Sequence, residues 1–283
     1  MRLTIRGLRK PAGSRRSDLC QLGPDSRAAL TALLDREPVV NVFLRSELRL
    51  GAPLDGWWGL GNGRELRAAL MTGPLTVPWI PDPADVPALS EVLWQPAHPR
   101  LMIGPAPAVR ALAASIAHWR RPAEIRDPQP VMVVDRPPVG ITDVPIRRGR
   151  RDDLDRLSVA AAAMHREEMG VDPLVLDAPG WRRRMATLID RGWSYLLMEG
   201  GEIAFKVELS AWTPEALQLQ GVWTHPDARR RGIATAALGT VCAELLREVP
   251  LCSLYVNGYN EPALRLYRRL GFRQLSEFAT YIF

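Results

Sequence analysis

Between residues 216 and 245 the chain runs from a strand-like stretch, through three consecutive arginines closed by a glycine, into a long amphipathic helix. This succession restricts the fold more than any other part of the sequence. Upstream, Leu217 and Leu219 alternate with Gln218 and Gln220, the period of a half-buried strand, until Gly221 interrupts it. Downstream, Ala234, Ala237, Leu238, Val241, Cys242 and Leu245 recur at helical spacing on one apolar face. The turn Arg229-Arg230-Arg231-Gly232-Ile233-Ala234-Thr235 therefore falls at a helix N-terminus. Unpaired backbone N–H groups and the positive end of the helix dipole converge there on an anion. Small residues at 232 and 234 let ligand oxygens approach the main chain, the arginines add positive charge, and the Thr235 hydroxyl offers one more donor. Taken alone, the same turn is also compatible with a solvated basic loop.

After the helix, residues 251–256 form a short apolar run, and Asn257-Gly258-Tyr259-Asn260-Glu261-Pro262 reads as a turn with a proline suited to a first helical turn. Ala263, Leu266, Tyr267 and Leu270 then share a helical face, and Gly271 supplies a left-handed stop. At this point the chain resembles the GNAT acyltransferases. Their pyrophosphate loop reads Arg or Gln, two residues, Gly, one residue, then Gly or Ala, a pattern filled by Arg229, Gly232 and Ala234. The resemblance implies acetyl-CoA as cosubstrate, held by the cradle and by the main chain of Val222, Trp223 and Thr224 along the pantetheine arm. It also implies that Asn260 contacts the coenzyme and that Tyr267 lies near the thioester sulfur as the catalytic acid. From the residues alone, Asn260 is equally a helix cap and Tyr267 an ordinary core tyrosine.

The rest of the C-terminal half follows the same order. A strand is expected at 144–147, helices at 151–164 and 181–189, and strands at 193–198 and 203–209 around the Gly200-Gly201 hairpin. Gly221 marks the place for a bulge, which frees N–H groups for a developing oxyanion. The chain departs from the family in one respect. Where many GNAT enzymes carry a carboxylate base, on the bulged strand or the strand after the binding helix, it has Gln218, Gln220 and Tyr255. Glu167, Glu168 and Glu208 are carboxylates that could act through water, each read first as a solvated surface group, and His225 has no assigned role.

The chain's 283 residues suggest two domains, with 136–140 as a linker. The expected units are 1–138 and 139–283. In the first, helices are expected at 25–34, 86–93 and 108–119, and strands at 56–60, 65–71, 75–80, 100–103 and 131–134, with a Gly61-Asn62-Gly63 turn. This echoes the second half as a degenerate repeat. In place of a cradle it has Pro81-Asp82-Pro83-Ala84-Asp85, which repels a pyrophosphate. The whole layout resembles a two-domain GNAT subfamily: tandem GNAT-like domains of α/β class with mixed sheets, the N-terminal one degenerate and serving as scaffold or substrate-side wall. The segments 37–43 and 278–283 add to this likeness.

The net charge of +6 comes almost wholly from arginine, with Lys10 and Lys206 the only lysines, and no nucleic-acid module accompanies it. That argues against a nucleic-acid partner, although residues 2–16 read as a mobile basic arm. Cys20, Cys242 and Cys252 suggest neither a disulfide framework nor a metal site, and His98, His118, His165 and His225 have no ligand spacing. With no membrane-spanning run and no signal peptide, the expected compartment is the cytoplasm. The leading expectation is an N-acetyltransferase transferring acetyl from acetyl-CoA to an amine of a small molecule or protein, without metal. The alternatives are a non-catalytic acyl-CoA-binding sensor and an arginine-rich nucleic-acid binder. Trp181, Trp193 and Trp212 are candidates to line an acceptor pocket, or equally core aromatics.

Overall fold

A computed structural model describes residues 19–61, 65–94 and 99–283. The Asn62-Gly63 turn, the basic segment 2–16 and His98 lie outside these residues. The first half opens with β1 (Leu19–Gln21), α1 (Arg27–Leu34) and α2 (Val42–Arg49), followed by the meander β2 (Trp57–Gly61), β3 (Leu66–Met71) and β4 (Leu75–Trp79). Next come α3 (Val86–Ser90), β5 (Leu101–Pro105), α4 (Ala106–Ile116) and β6 (Glu124–Val134). The second half contains β7 (Arg147–Arg148), α5 (Leu154–Met169), α6 (Pro173–Asp190), β8 (Ser194–Glu199), β9 (Glu202–Trp212) and β10 (Leu217–Thr224). It ends with α7 (Ile233–Leu245), β11 (Cys252–Tyr255), α8 (Glu261–Arg269) and β12 (Arg273–Ile282).

The strands form one mixed sheet in the order β1-β2-β3-β4-β5-β12-β6-β11-β10-β9-β8-β7. Its centre is an exchange between the halves. β12, the last strand of the chain, lies antiparallel between β5 and β6, while β6 lies between β12 and β11. The cores follow the exchange. Met132 and Val134 of β6 belong to the C-terminal core, and Ala279 of β12 belongs to the core around α4.

Most elements fall near the expected positions, although no strand was expected at Leu19–Gln21 and the helix expected at 181–189 begins at Pro173, and three further differences are informative. The strand expected at 131–134 begins at Glu124, seven residues earlier, despite Pro128 and Pro130. Both prolines are tolerated because this side of β6 needs only acceptors: their carbonyls take the N–H groups of Gly258 and Val256 at 2.9 and 3.2 Å. The strand expected at 144–147 is reduced to Arg147–Arg148, which pairs β8 at the sheet edge. Helix α2 carried no clear helical signal, yet it packs on β9, with Val42 buried against Ala211 and Ala216. Arg45 of α2 reaches Asp35 at 2.6 Å and Glu215 at 2.8 Å, which ties the two halves together.

In the first half the acidic turn is a short 3-10 element. Asp82 caps it by accepting from the Ala84 N–H at 2.9 Å, and Asp85 pairs with Arg67 at 3.0 Å. The three cysteines are free thiols. Contact with Cys252, together with burial, pushes the Cys242 thiol well up.

Because β11 and β12 do not pair with each other but each pair with β6, a fragment 139–283 has a sheet with its middle strand removed. We expect this fragment to bind a hydrophobic dye and to unfold without a cooperative transition, whereas the full chain unfolds sharply. A cooperative melt of the isolated fragment would contradict the exchange.

Candidate active site

The parallel strands β10 and β11 pair only at Leu217 with Cys252 and Gln218 with Ser253, then separate. On its other side β10 loses register with β9. Gln220 faces Glu208 and Trp223 faces Lys206, so β10 spends one extra residue over that interval. The bulge falls at Gly221, whose φ is +61°. A Cβ there would lie 2.7 Å from Glu208 Oε2 and 3.1 Å from Lys206 Nζ. Beneath it Lys206, fully buried, donates to Glu208 at 2.7 Å and to the Gly221 carbonyl at 3.0 Å. The ammonium thus occupies a carbonyl that the bulge has taken out of the ladder.

The separation of the strands opens a cavity of about 980 Å³ that runs through the sheet. On one side it is lined by the turn before α7 and by α8. On the other it is lined by α5, α6 and residues of β5, β6 and β12. Val222, Trp223, Thr224, Arg229, Arg230, Gly232, Ile233, Ala234, Thr235, Asn260 and Tyr267 all line it.

Arg230 and Gly232 are both left-handed, at φ 62° and 80°, which turns successive N–H groups toward one side as in an anion nest. The Arg230 conformation costs about 1–2 kcal/mol for a non-glycine residue. Among the described residues, no main-chain N–H from Arg230 to Thr235 has a protein acceptor. The ladder begins only at Ala236, which bonds the Gly232 carbonyl at 3.1 Å.

Two of the three arginine side chains are engaged by protein groups, whereas Arg230 lines the cavity with no ion pair among the described residues. Arg231 points away from the cavity and pairs with Glu199 at 2.9 Å, so its side chain is not part of the cradle. Arg229 bonds both oxygens of Glu167, at 2.9 and 2.6 Å, and the Thr224 carbonyl at 3.0 Å. Trp223 is buried and donates from Nε1 to the same Glu167 at 3.3 Å. Glu167 is thereby a brace between α5 and β10. His225 caps its turn, accepting at Nδ1 from the Asp227 N–H at 3.3 Å.

Asn260 caps α8, its Oδ1 accepting from the Ala263 N–H at 3.2 Å, while also lining the cavity. Tyr267 is 6% exposed, with its ring 5.7 Å from that of Phe272. Burial, and then Glu168 and Cys242, push its phenol above the ordinary tyrosine range. Of the three candidate pocket tryptophans, Trp181 lines the cavity and donates to the Ser158 carbonyl at 3.0 Å. Trp193 and Trp212 belong to the core.

Several lining residues carried no sequence signal. Arg126 and Gln129 come from β6, Thr280 from β12 and Ile103 from β5. Gln129 donates to Asn257 Oδ1 at 2.7 Å and accepts from the Thr280 hydroxyl at 2.5 Å. Arg126 donates to Glu124 at 2.6 Å and to the Glu168 carbonyl at 2.9 Å. The first half therefore forms the wall on the α5–α6 side. Among the described residues, no group of three or more His, Cys, Asp and Glu is placed to hold a metal ion, and no helix is long and apolar enough to cross a membrane.

Known proteins agree with this architecture. Residues 165–272 match the Acetyltransferase (GNAT) family, and residues 56–157 match a Domain of unknown function (DUF4081). A GNAT-family acetyltransferase of Colwellia psychrerythraea superposes with a TM-score of 0.58 at 14% identity, covering 94% of this chain and 99% of that one. A tandem GNAT protein from the clavulanic acid biosynthesis pathway gives 0.59 at 15% identity, covering 93% and 97%. A Drosophila protein gives 0.63 at 18%, covering 94% and 99%. None of the curated proteins matches at a significant level. The chain has the tandem GNAT fold, and its residues 165–272 match the GNAT acetyltransferase family, which uses acetyl-CoA as cosubstrate.

Removing one partner of the Lys206–Glu208 pair leaves a buried charge uncompensated. Lys206→Met should lower unfolding stability by about 3–5 kcal/mol in urea titrations. The double variant Lys206→Met/Glu208→Leu should recover most of that loss, because an apolar pair replaces both charges. A single variant within about 1 kcal/mol of the parent would mean that the pair does not support the bulge.

Proposed function

We propose that the protein is an acetyl-CoA-dependent N-acetyltransferase that passes the acetyl group directly to an amine, with 1–138 and 139–283 as its two chain units. One observation carries this reading: the run of unpaired N–H groups from Arg230 to Thr235 at the N-terminus of α7, beside separated strands. Those N–H groups suit a pyrophosphate, with affinity coming from the main chain and the helix dipole more than from the Arg229 and Arg231 side chains. The edge of β10 at Val222 and at the Thr224 N–H, which pairs with no strand, suits the amide groups of the pantetheine arm, and the Asn260 amide lies along the same wall.

Tyr267 is the proposed acid. Its raised pKa keeps it protonated at neutral pH. Glu168 is the proposed base. Glu167 is held by Arg229 and Glu208 by Lys206, whereas among the described residues no hydrogen bond occupies the Glu168 carboxylate. Water reaches it within the cavity, but enclosure by the walls pushes its pKa up. It accepts one proton from the incoming ammonium. The amine nitrogen then bonds the carbonyl carbon and the C–S bond breaks. Tyr267 gives its proton to sulfur and is replenished by the second proton lost as the amide forms. The sensor alternative rested on a missing carboxylate, and α5 and β9 bring Glu168 and Glu208 to the cavity.

Acetyl-CoA should raise the melting temperature. Gly232→Glu should abolish that shift, while Gly232→Ala, equally strained at a positive φ, should keep most of it. No shift with any acyl-CoA would reject the reading. Tyr267→Phe should lower kcat about 10²-fold with the coenzyme-induced shift retained, and full activity would remove the acid role.

The pH profile tests Glu168. A base with a raised pKa is protonated and lost as pH falls, so the acid limb of kcat/KM should lie above the ordinary glutamate value of about 4.3. Glu168→Gln should remove that limb and cost about 10²-fold. An unchanged limb would assign the base elsewhere.

A further inference from the structure

Glu168 and Arg184 line the cavity on adjacent helices and form no ion pair among the described residues, nor does Arg230 at the nest. Glu168 on α5 receives no hydrogen bond at its carboxylate. The cations nearest it are engaged elsewhere, Arg126 with Glu124 and Lys206 with Glu208. Arg184 on α6 pairs with no carboxylate, and its guanidinium lies over the Trp181 ring, 5.7 Å from the centroid. The Trp181 ring in turn lies 5.5 Å from the ring of His165, one helical turn before Glu168. Burial, and then Arg184 and Arg126, hold His165 below its ordinary pKa, so it is neutral and compensates neither charge.

Opposite charges that face one cavity without joining are complementary to a ligand carrying both. A carboxylate that lines a cavity without an ion pair favours an ammonium group, and a guanidinium stacked on an indole presents a planar fork suited to a carboxylate. We propose that the acceptor is an amine that also carries a carboxylate, with its ammonium group at Glu168 and its carboxylate on Arg184. This rests on the acetyltransfer reading above. The acceptor enters from the side walled by α5, α6 and the N-terminal half, opposite the nest at α7. Arg184 is then the specificity determinant, and Trp181 holds it in place.

The test measures free-thiol release from acetyl-CoA with the common amino acids and straight-chain ω-amino acids, each beside the amine that lacks its carboxyl group. In at least one matched pair the acid-bearing member should be preferred about tenfold or more in kcat/KM, the effect of one charge-assisted contact. Arg184→Gln should abolish that preference, chiefly by raising KM for the acid-bearing member, and should keep the thermal shift with acetyl-CoA. Arg182→Gln, on the same helix but paired with Asp155, should leave the preference intact. Equal use of both members in every pair would overturn the proposal. So would neither turnover nor further stabilisation of the acetyl-CoA complex by any acid-bearing amine, or a preference that survives Arg184→Gln. Loss of the acetyl-CoA shift in the parent protein would instead overturn the coenzyme reading.

Discussion

The buried contact of Lys206 with Glu208 and the Gly221 carbonyl holds β10 in the shape that the site requires. A strand that bulges must leave main-chain groups outside the ladder, and a buried carbonyl without a donor is costly. Lys206 supplies that donor, and Glu208 neutralises the lysine. With the bulge so stabilised, β10 turns away from β11, and the cavity opens between them. The nest before α7 follows from the same geometry, because the helix starts where the diverging strand delivers the chain.

The second constraint is topological. β6 and β12 exchange between the halves, so the wall facing α5 and α6 combines β5 and β6, which belong to the N-terminal half by sequence, with β12. This explains how a half with no cradle of its own still takes part in the site. Arg126 and Gln129 reach the cavity because the first part of β6 pairs with β12 on one side only. On the other side it gives hydrogen-bond acceptors to the loop after β11.

Charge in the site is distributed differently from what the arginine run suggests. Arg229 braces α5 through Glu167, and Arg231 engages Glu199, so both are used to fix protein segments relative to one another. The positive character of the cradle comes from oriented main-chain N–H groups. Arg230 lines the cavity at the nest, and on the opposite side the lining cations are Arg184 on α6 and Arg126 on β6.

Much of the second half was legible in the sequence because its signals are local. Leu217 to Gln220 alternate as a strand must, Gly221 and Gly232 require left-handed φ, Asn260 and Pro262 begin a helix, and Gly271 ends it. Such residues state their conformation through sterics and short-range hydrogen bonding, and the likeness of the cradle to GNAT proteins follows from them. The tertiary structure alone decided where β6 and β12 lie, which carboxylates are already held by a cation, and that Arg229 and Arg231 of the turn face the protein. Those outcomes depend on pairings between residues far apart in the chain, Arg229 with Glu167 or Gln129 with Thr280. A local pattern of polarity says that a side chain is charged. It does not say which distant group will be folded against it.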